Sequence, residues 1–270
     1  MRDFTLHTYR SLLTAFQQAG YHFITFGEYC DKRSKGEALP EPYIILRHDV
    51  DLKAANSLRT AEVEHEYGIK ASYYFRVVKA SSQPDIISAI VSLGHEIGYH
   101  YEDMSIANGD TAKAITHFKT WLQYFRTYYP VKTICMHGAP TSQYDSRDIW
   151  KHIDYHTYGI IGEPYYDTDF SQTVYLTDTG RCWDGYKVSV RDKIEGYQDE
   201  WTKRGLVFHS TYDIIRWLNQ STTDGSNLPS LMITTHPQRW TDNHIQWFIE
   251  LVLQKIKNCI KRILIWSKRY

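Results

Sequence analysis

The sequence predicts a single α/β domain in which a mainly parallel sheet is covered by helices. Three observations carry this. Apolar runs of strand length alternate with segments of helical periodicity. No Pro/Gly-rich linker, internal repeat or low-complexity tract divides the 270 residues. Five of the apolar runs end in carboxylates and imidazoles, and strand ends are where parallel β/α folds gather their chemistry.

The elements follow in order. Leu6, Tyr9, Leu12, Leu13 and Phe16 recur at helical spacing, and Gly20 closes that segment. A short apolar run occupies 22–26, and the charged stretch from Asp31 to Pro42 reads as a loop. Tyr43-Ile44-Ile45-Leu46 is a strand that ends in Arg47-His48-Asp49-Val50-Asp51. Residues 52–66 read as a helix with Leu52, Ala55, Leu58 and Val63 on its inner side. A strand is expected at 71–78, a helix at 85–93, a strand at 95–99, a helix at 111–128 and a strand at 131–136. Beyond an irregular region come strands at 174–177, 205–208 and 231–234, with a helix start at Ser210 to Asp213. Residues 1–40 form a lead-in with one helix. Residues 241–270 form a long helix with an apolar stripe of Ile245, Phe248, Ile249, Val252, Ile256, Ile260 and Ile263.

Composition excludes several classes. Lys plus Arg and Asp plus Glu are both 31, so net charge gives no argument for nucleic acid. Cys30, Cys135, Cys182 and Cys259 form no CxxC pair, which disfavours zinc-finger and thioredoxin readings. The first residues lack a charged-then-apolar leader, and no apolar stretch approaches the roughly 18 residues of a membrane span. A cytoplasmic protein with reduced thiols is expected. Ser210 has no Gly-x-Ser-x-Gly context, and no Gly-rich phosphate loop follows a strand. The basic tail of Lys255, Lys257, Lys261, Arg262, Lys268 and Arg269 reads as a solvated helix face, with a membrane or anionic-glycan contact as the alternative.

The polar strand ends are His48 to Asp51, His100 to Asp103, His137 to Pro140, Asp178 to Trp183 and His236 to Trp240. Asp49 and Asp51 are two apart and face the same way in an extended segment. Two carboxylates in one space repel unless a cation or proton lies between them. That suits a metal ligand beside a general base, and imidazole with carboxylate suits zinc or another first-row divalent ion. The plainer alternative is that Asp51 caps the next helix. Arg47 and Arg239 read as ion-pair partners of nearby carboxylates, and His209 as structural.

From Ile44 to Trp240 the order of motifs resembles the polysaccharide deacetylase superfamily (carbohydrate esterase family four), in an uncharacterised branch with His-Gly-x-Pro and Asp-Thr-Gly-Arg motifs. The resemblance implies a distorted (β/α)7-type barrel. It implies Asp49 as base, and Asp51 and His100 as metal ligands. The family's second histidine, four residues after His100, is Met104 here, a poor partner for such a cation. Glu102, His137 and His95 are the candidates for the third ligand. His95 reads as a core residue, and His137 is preferred over Glu102. Asp178 and Arg181 would orient His137 or the substrate, and Trp183 and Trp240 would line a sugar pocket. His236 would be the general acid.

The function so implied is removal of an acetyl group from an N-acetylated sugar or glycan precursor. The cofactor would be a divalent metal, zinc in the first instance, with cobalt, nickel or manganese as alternatives. A non-catalytic sugar-binding module on the same fold and a small cyclic-amide hydrolase are the rival readings.

Overall fold

The computed structural model describes residues 2–139, 142–183, 194 and 196–267, and side chains through 263 in the last of these. Pro140 of the third motif, and Lys268 and Arg269 of the basic tail, lie outside the described residues.

Seven strands form one parallel sheet: β1 (His22–Ile24), β2 (Tyr43–Val50), β3 (Ser72–Phe75), β4 (Glu96–Tyr101), β5 (Ile134–Met136), β6 (Thr173–Thr177) and β7 (Ser230–Thr235). The order is β5-β4-β3-β2-β7-β6, and β1 shares the edge of β2 with β3, pairing at Tyr43 to Ile45. The sheet curls into a half-barrel flanked by helices, which is the distorted barrel architecture the sequence leads one to expect. β2 lies near the middle and is buried along its whole length. That explains its unbroken apolar start, because a parallel strand covered on both faces has no polar side.

The helices are α1 (Leu6–Gln18), α2 (Phe26–Lys35), α3 (Ala54–Glu66), α4 (Pro84–Ser92), α5 (Asp103–Ile106), α6 (Thr111–Arg126), α7 (Pro164–Asp167), α8 (Gln198–Lys203), α9 (Thr211–Asp224) and α10 (His244–Ser267). Among the described residues none is long and apolar enough to cross a membrane. α9 opens on a capping box, in which Ser210 accepts from the Asp213 amide and the Asp213 carboxylate accepts from the Ser210 amide.

Three expectations are corrected. The supposed loop from Asp31 begins inside α2. Phe26, Tyr29 and Cys30 bury one face of that helix, Thr25 caps it, and Gly36 ends it at φ 67°. The run at 205–208 is no strand. Gly205 turns the chain at φ 74°, the Leu206 amide bonds back to the Trp201 carbonyl, and Leu206 and Phe208 plug the core from a loop. Leu52 and Ala55 are exposed and Leu58 is half-buried, whereas Val63 is buried as expected; α3 turns Ala54, Ser57, Ala61 and Glu64 inward beside it. This inner face is partly polar because Glu64 accepts from His48, Tyr9 and Tyr73 in a buried network. The stripe on α10 faces outward, with Ile245 at 72% and Ile256 at 53% exposure.

Candidate active site

The site grows from the C-terminal end of β2. Arg47 and Asp49 are two apart on an extended strand, so they share a face. The Arg47 guanidinium donates to both oxygens of Asp49, at 2.8 Å (Nε to Oδ1) and 2.6 Å (Nη2 to Oδ2). Both groups are buried. Burial alone would push the Asp49 carboxyl up, but Arg47 outweighs it and, with His100, holds the carboxyl at about 2. Asp51 follows just past the strand, where its amide bonds to the Asp49 carbonyl at 3.0 Å.

Two imidazoles meet Asp51 from neighbouring strands. His100 lies in β4, in register with Cys135 of β5, and its Nδ1–H donates to the Cys135 carbonyl at 2.9 Å. His137 is the first residue past β5, and its Nδ1–H donates to Glu102 Oε2 at 2.8 Å. Carbonyl and carboxylate oxygens only accept, so these bonds place each ring proton on Nδ1. Each Nε2 lone pair is then free to face the site. The Nε2 atoms of His100 and His137 lie 3.6 and 3.4 Å from Asp51 Oδ1. That oxygen is buried and has no hydrogen-bond partner among the described residues. A carboxylate oxygen left bare beside two imidazole lone pairs is costly unless something positive joins them. The His100 ring reflects the same field. Burial works against its charge, but Asp49 and Asp51 raise its pKa all the same. The three ligand atoms lie within 4.8 Å of one another, and the set fits a first-row divalent cation with positions left open.

Asp49, His100 and Cys135 form a second convergent group. It suits a cation less well, because the Arg47 charge already occupies both Asp49 oxygens.

His236 approaches from the end of β7, with Nε2 3.8 Å from Asp51 Oδ2. Its Nδ1–H donates to Asp178 Oδ1 at 2.6 Å, and its amide donates to Asp178 Oδ2 at 3.0 Å. Arg239 also donates to Asp178, as does the Trp240 indole N–H at 2.9 Å. Asp178 is fully buried. It therefore orients His236 rather than His137 or a substrate. Trp183 and Trp240 are 1% and 0% exposed and pack around Phe4, so neither ring offers a face to a sugar. Arg181 stacks between the rings of Phe4 and Trp247, on the α10 side of the molecule. These placements correct the expected substrate-contact roles of all four residues.

Among the other candidates, His95 is a core histidine. Its Nδ1 accepts from the Ala71 amide and its Nε2–H reaches the Ala61 carbonyl. Met104 is buried. Glu102 supports His137 rather than facing Asp51. Arg76, which carries no site signal in the sequence, holds Glu102 with Nε on Oε1 at 2.8 Å and Nη2 on Oε2 at 2.9 Å. Gln238, equally unmarked in the sequence, donates to Asp51 Oδ2 at 3.3 Å. Groups that fix a ligand imidazole are commonly worth about 10–100-fold in metal affinity. Glu102→Ala is expected to weaken zinc or cobalt binding by about that factor, as read by competition with a chelating dye. Glu102→Gln, which keeps an acceptor for the His137 Nδ1–H, is expected to recover most of the loss.

No family model and no curated protein matches the chain. A solved structure that aligns with it is that of Streptococcus pyogenes deacetylase PplD in complex with acetate. The identity is 16% and the TM-score 0.43, over 55% of this chain and 69% of that one. This is a distant likeness of fold.

Proposed function

We propose that the chain is a metal-dependent hydrolase that removes acetyl groups from N-acetylated sugars or glycan precursors. The observation that carries this is the bare Asp51 Oδ1 facing the Nε2 atoms of His100 and His137, with Asp49 close to His100 and His236 close to the other oxygen of Asp51. A divalent cation held by Asp51, His100 and His137 would supply Lewis acidity to an amide carbonyl and to water. Asp49, kept ionised by Arg47, takes the proton from the attacking water. Its low pKa makes it a weak base, so it acts only on water that is already strongly acidified. His236, whose Nδ1–H is held by Asp178, presents Nε2 toward the site. In its doubly protonated form it gives the Nε2 proton to the departing amine and keeps the Nδ1–H, since an amide nitrogen leaves poorly until protonated. The motif resemblance supports a sugar as the carrier of the acetyl group.

The test has two readouts. The chain is loaded in turn with zinc, cobalt, nickel and manganese, and acetate release is measured from chitooligosaccharide and from a cyclic amide. Elemental analysis of Asp51→Ala is expected to show loss of bound metal. Unchanged metal content would remove Asp51 from the centre and the hydrolase reading with it.

A further inference from the structure

α10 sits on the molecule the opposite way from an ordinary surface helix. Trp247, Glu250, Gln254 and Asn258 recur at spacings of three and four and face the body. Glu250 Oε2 lies 3.7 Å from Lys53 Nζ. Asn258 donates to the Gly180 carbonyl at 2.8 Å, and the Trp247 indole donates to the Asp3 carbonyl at 2.6 Å. The opposite face is apolar and bare. Phe248, Ile249, Leu253, Ile256, Ile260 and Ile263 are 46–64% exposed. A stripe of this length on a water-facing helix marks a contact surface.

Charge selects what it contacts. Lys255 and Arg262 flank one side of the stripe and Lys257 the other, and all three are exposed. The sole acid of residues 244–267 is Glu250, which is buried. A second copy meeting this face along α10 would bring no exposed acid to those cations. A surface of negative headgroups over an apolar interior answers both features at once, because long basic side chains lie along the apolar boundary while their charges reach the headgroups. We infer that α10 docks the chain on an anionic lipid surface, lying in its plane. This does not depend on the chemistry of the metal centre.

The test is flotation of the purified 270-residue chain with vesicles of phosphatidylcholine alone and with vesicles that also contain phosphatidylglycerol. Binding is expected to the second only, and to fall as salt is raised. The triple variant Lys255→Glu, Lys257→Glu, Arg262→Glu is expected to bind at least about a hundredfold more weakly. Ile249→Asp with Ile256→Asp is expected to abolish binding. All five positions are exposed, and near-UV circular dichroism checks that the fold is kept. If a variant does not fold, the salt dependence of the parent chain decides. Equal binding to neutral and anionic vesicles, or binding to neither, overturns the inference. A dimer in light scattering that leaves no vesicle-bound fraction also overturns it, and assigns the face to a second copy.

Discussion

Asp49→Asn is expected to lower acetate release by about 10²–10⁴-fold, the range usual for loss of a positioned acid–base group, while bound metal stays at the parent level. The amide matches the carboxylate in shape and can still accept from Arg47, but it cannot take a proton from water. Asp49 is also not among the three proposed ligands, so metal content separates its role from that of Asp51. A drop in activity matched by an equal drop in metal would show that Asp49 belongs to the coordination set instead. The assay belongs at a temperature where both proteins are folded, because the substitution also leaves the buried guanidinium of Arg47 without its counter-charge.

The same pair gives the second large effect. Arg47→Met is expected to cost about 3–5 kcal/mol of stability in chemical denaturation at neutral pH, as breaking a buried ion pair does. The carboxylate left behind is 4% exposed as a residue and keeps no partner of like strength. The effect has a sign in pH. In the parent, the folded carboxyl sits at about 2, below the roughly 3.9 of an unfolded Asp. Its contribution is therefore present above about pH 4 and lost as pH falls toward 2. Without Arg47, burial raises the carboxyl above its unfolded value, so the variant is expected to gain stability as pH drops from 7 to 5. Arg47→Met combined with Asp49→Leu is expected to recover the loss, since apolar replacement of a buried pair is often neutral or better. That double variant would be stable and inactive. If Arg47→Met cost less than about 1 kcal/mol, the value of an exposed pair, water would have to reach the pair in solution.

Much of this arrangement was legible from strand period and strand ends. Asp49 and Asp51 were expected to share a space with His100, and the structure puts His100 Nε2 3.7 Å from Asp49 Oδ2 and 3.6 Å from Asp51 Oδ1. The Arg47 clamp follows from the same two-residue spacing. Arg76 and Gln238 were not legible, because each reaches the site through a side chain whose direction only the assembled sheet fixes. The run at 205–208 misled because four apolar residues fit a strand and a core-plugging loop equally well. No helix is predicted at 26–35, because the second half of that segment is charged and merges with the polar stretch that follows, although Phe26, Tyr29 and Cys30 mark a helical face. Trp183 and Trp240 were placed at a sugar pocket by analogy of position, and packing against Phe4 takes them into the core. The periodicity of α10 gave the stripe correctly, but a stripe does not say on which side of it the protein lies.

The polar inner face of α10 has a mechanical consequence. Glu250, Asn258 and Trp247 hold the helix to the body through a few polar contacts, and water can replace each of them when it lifts. Apart from the Trp247 ring beneath Arg2 and Arg181, these contacts are polar, so lifting the helix is expected to cost less than opening the sheet. Amide hydrogens of α10 are therefore expected to exchange sooner than those of the strands beneath it.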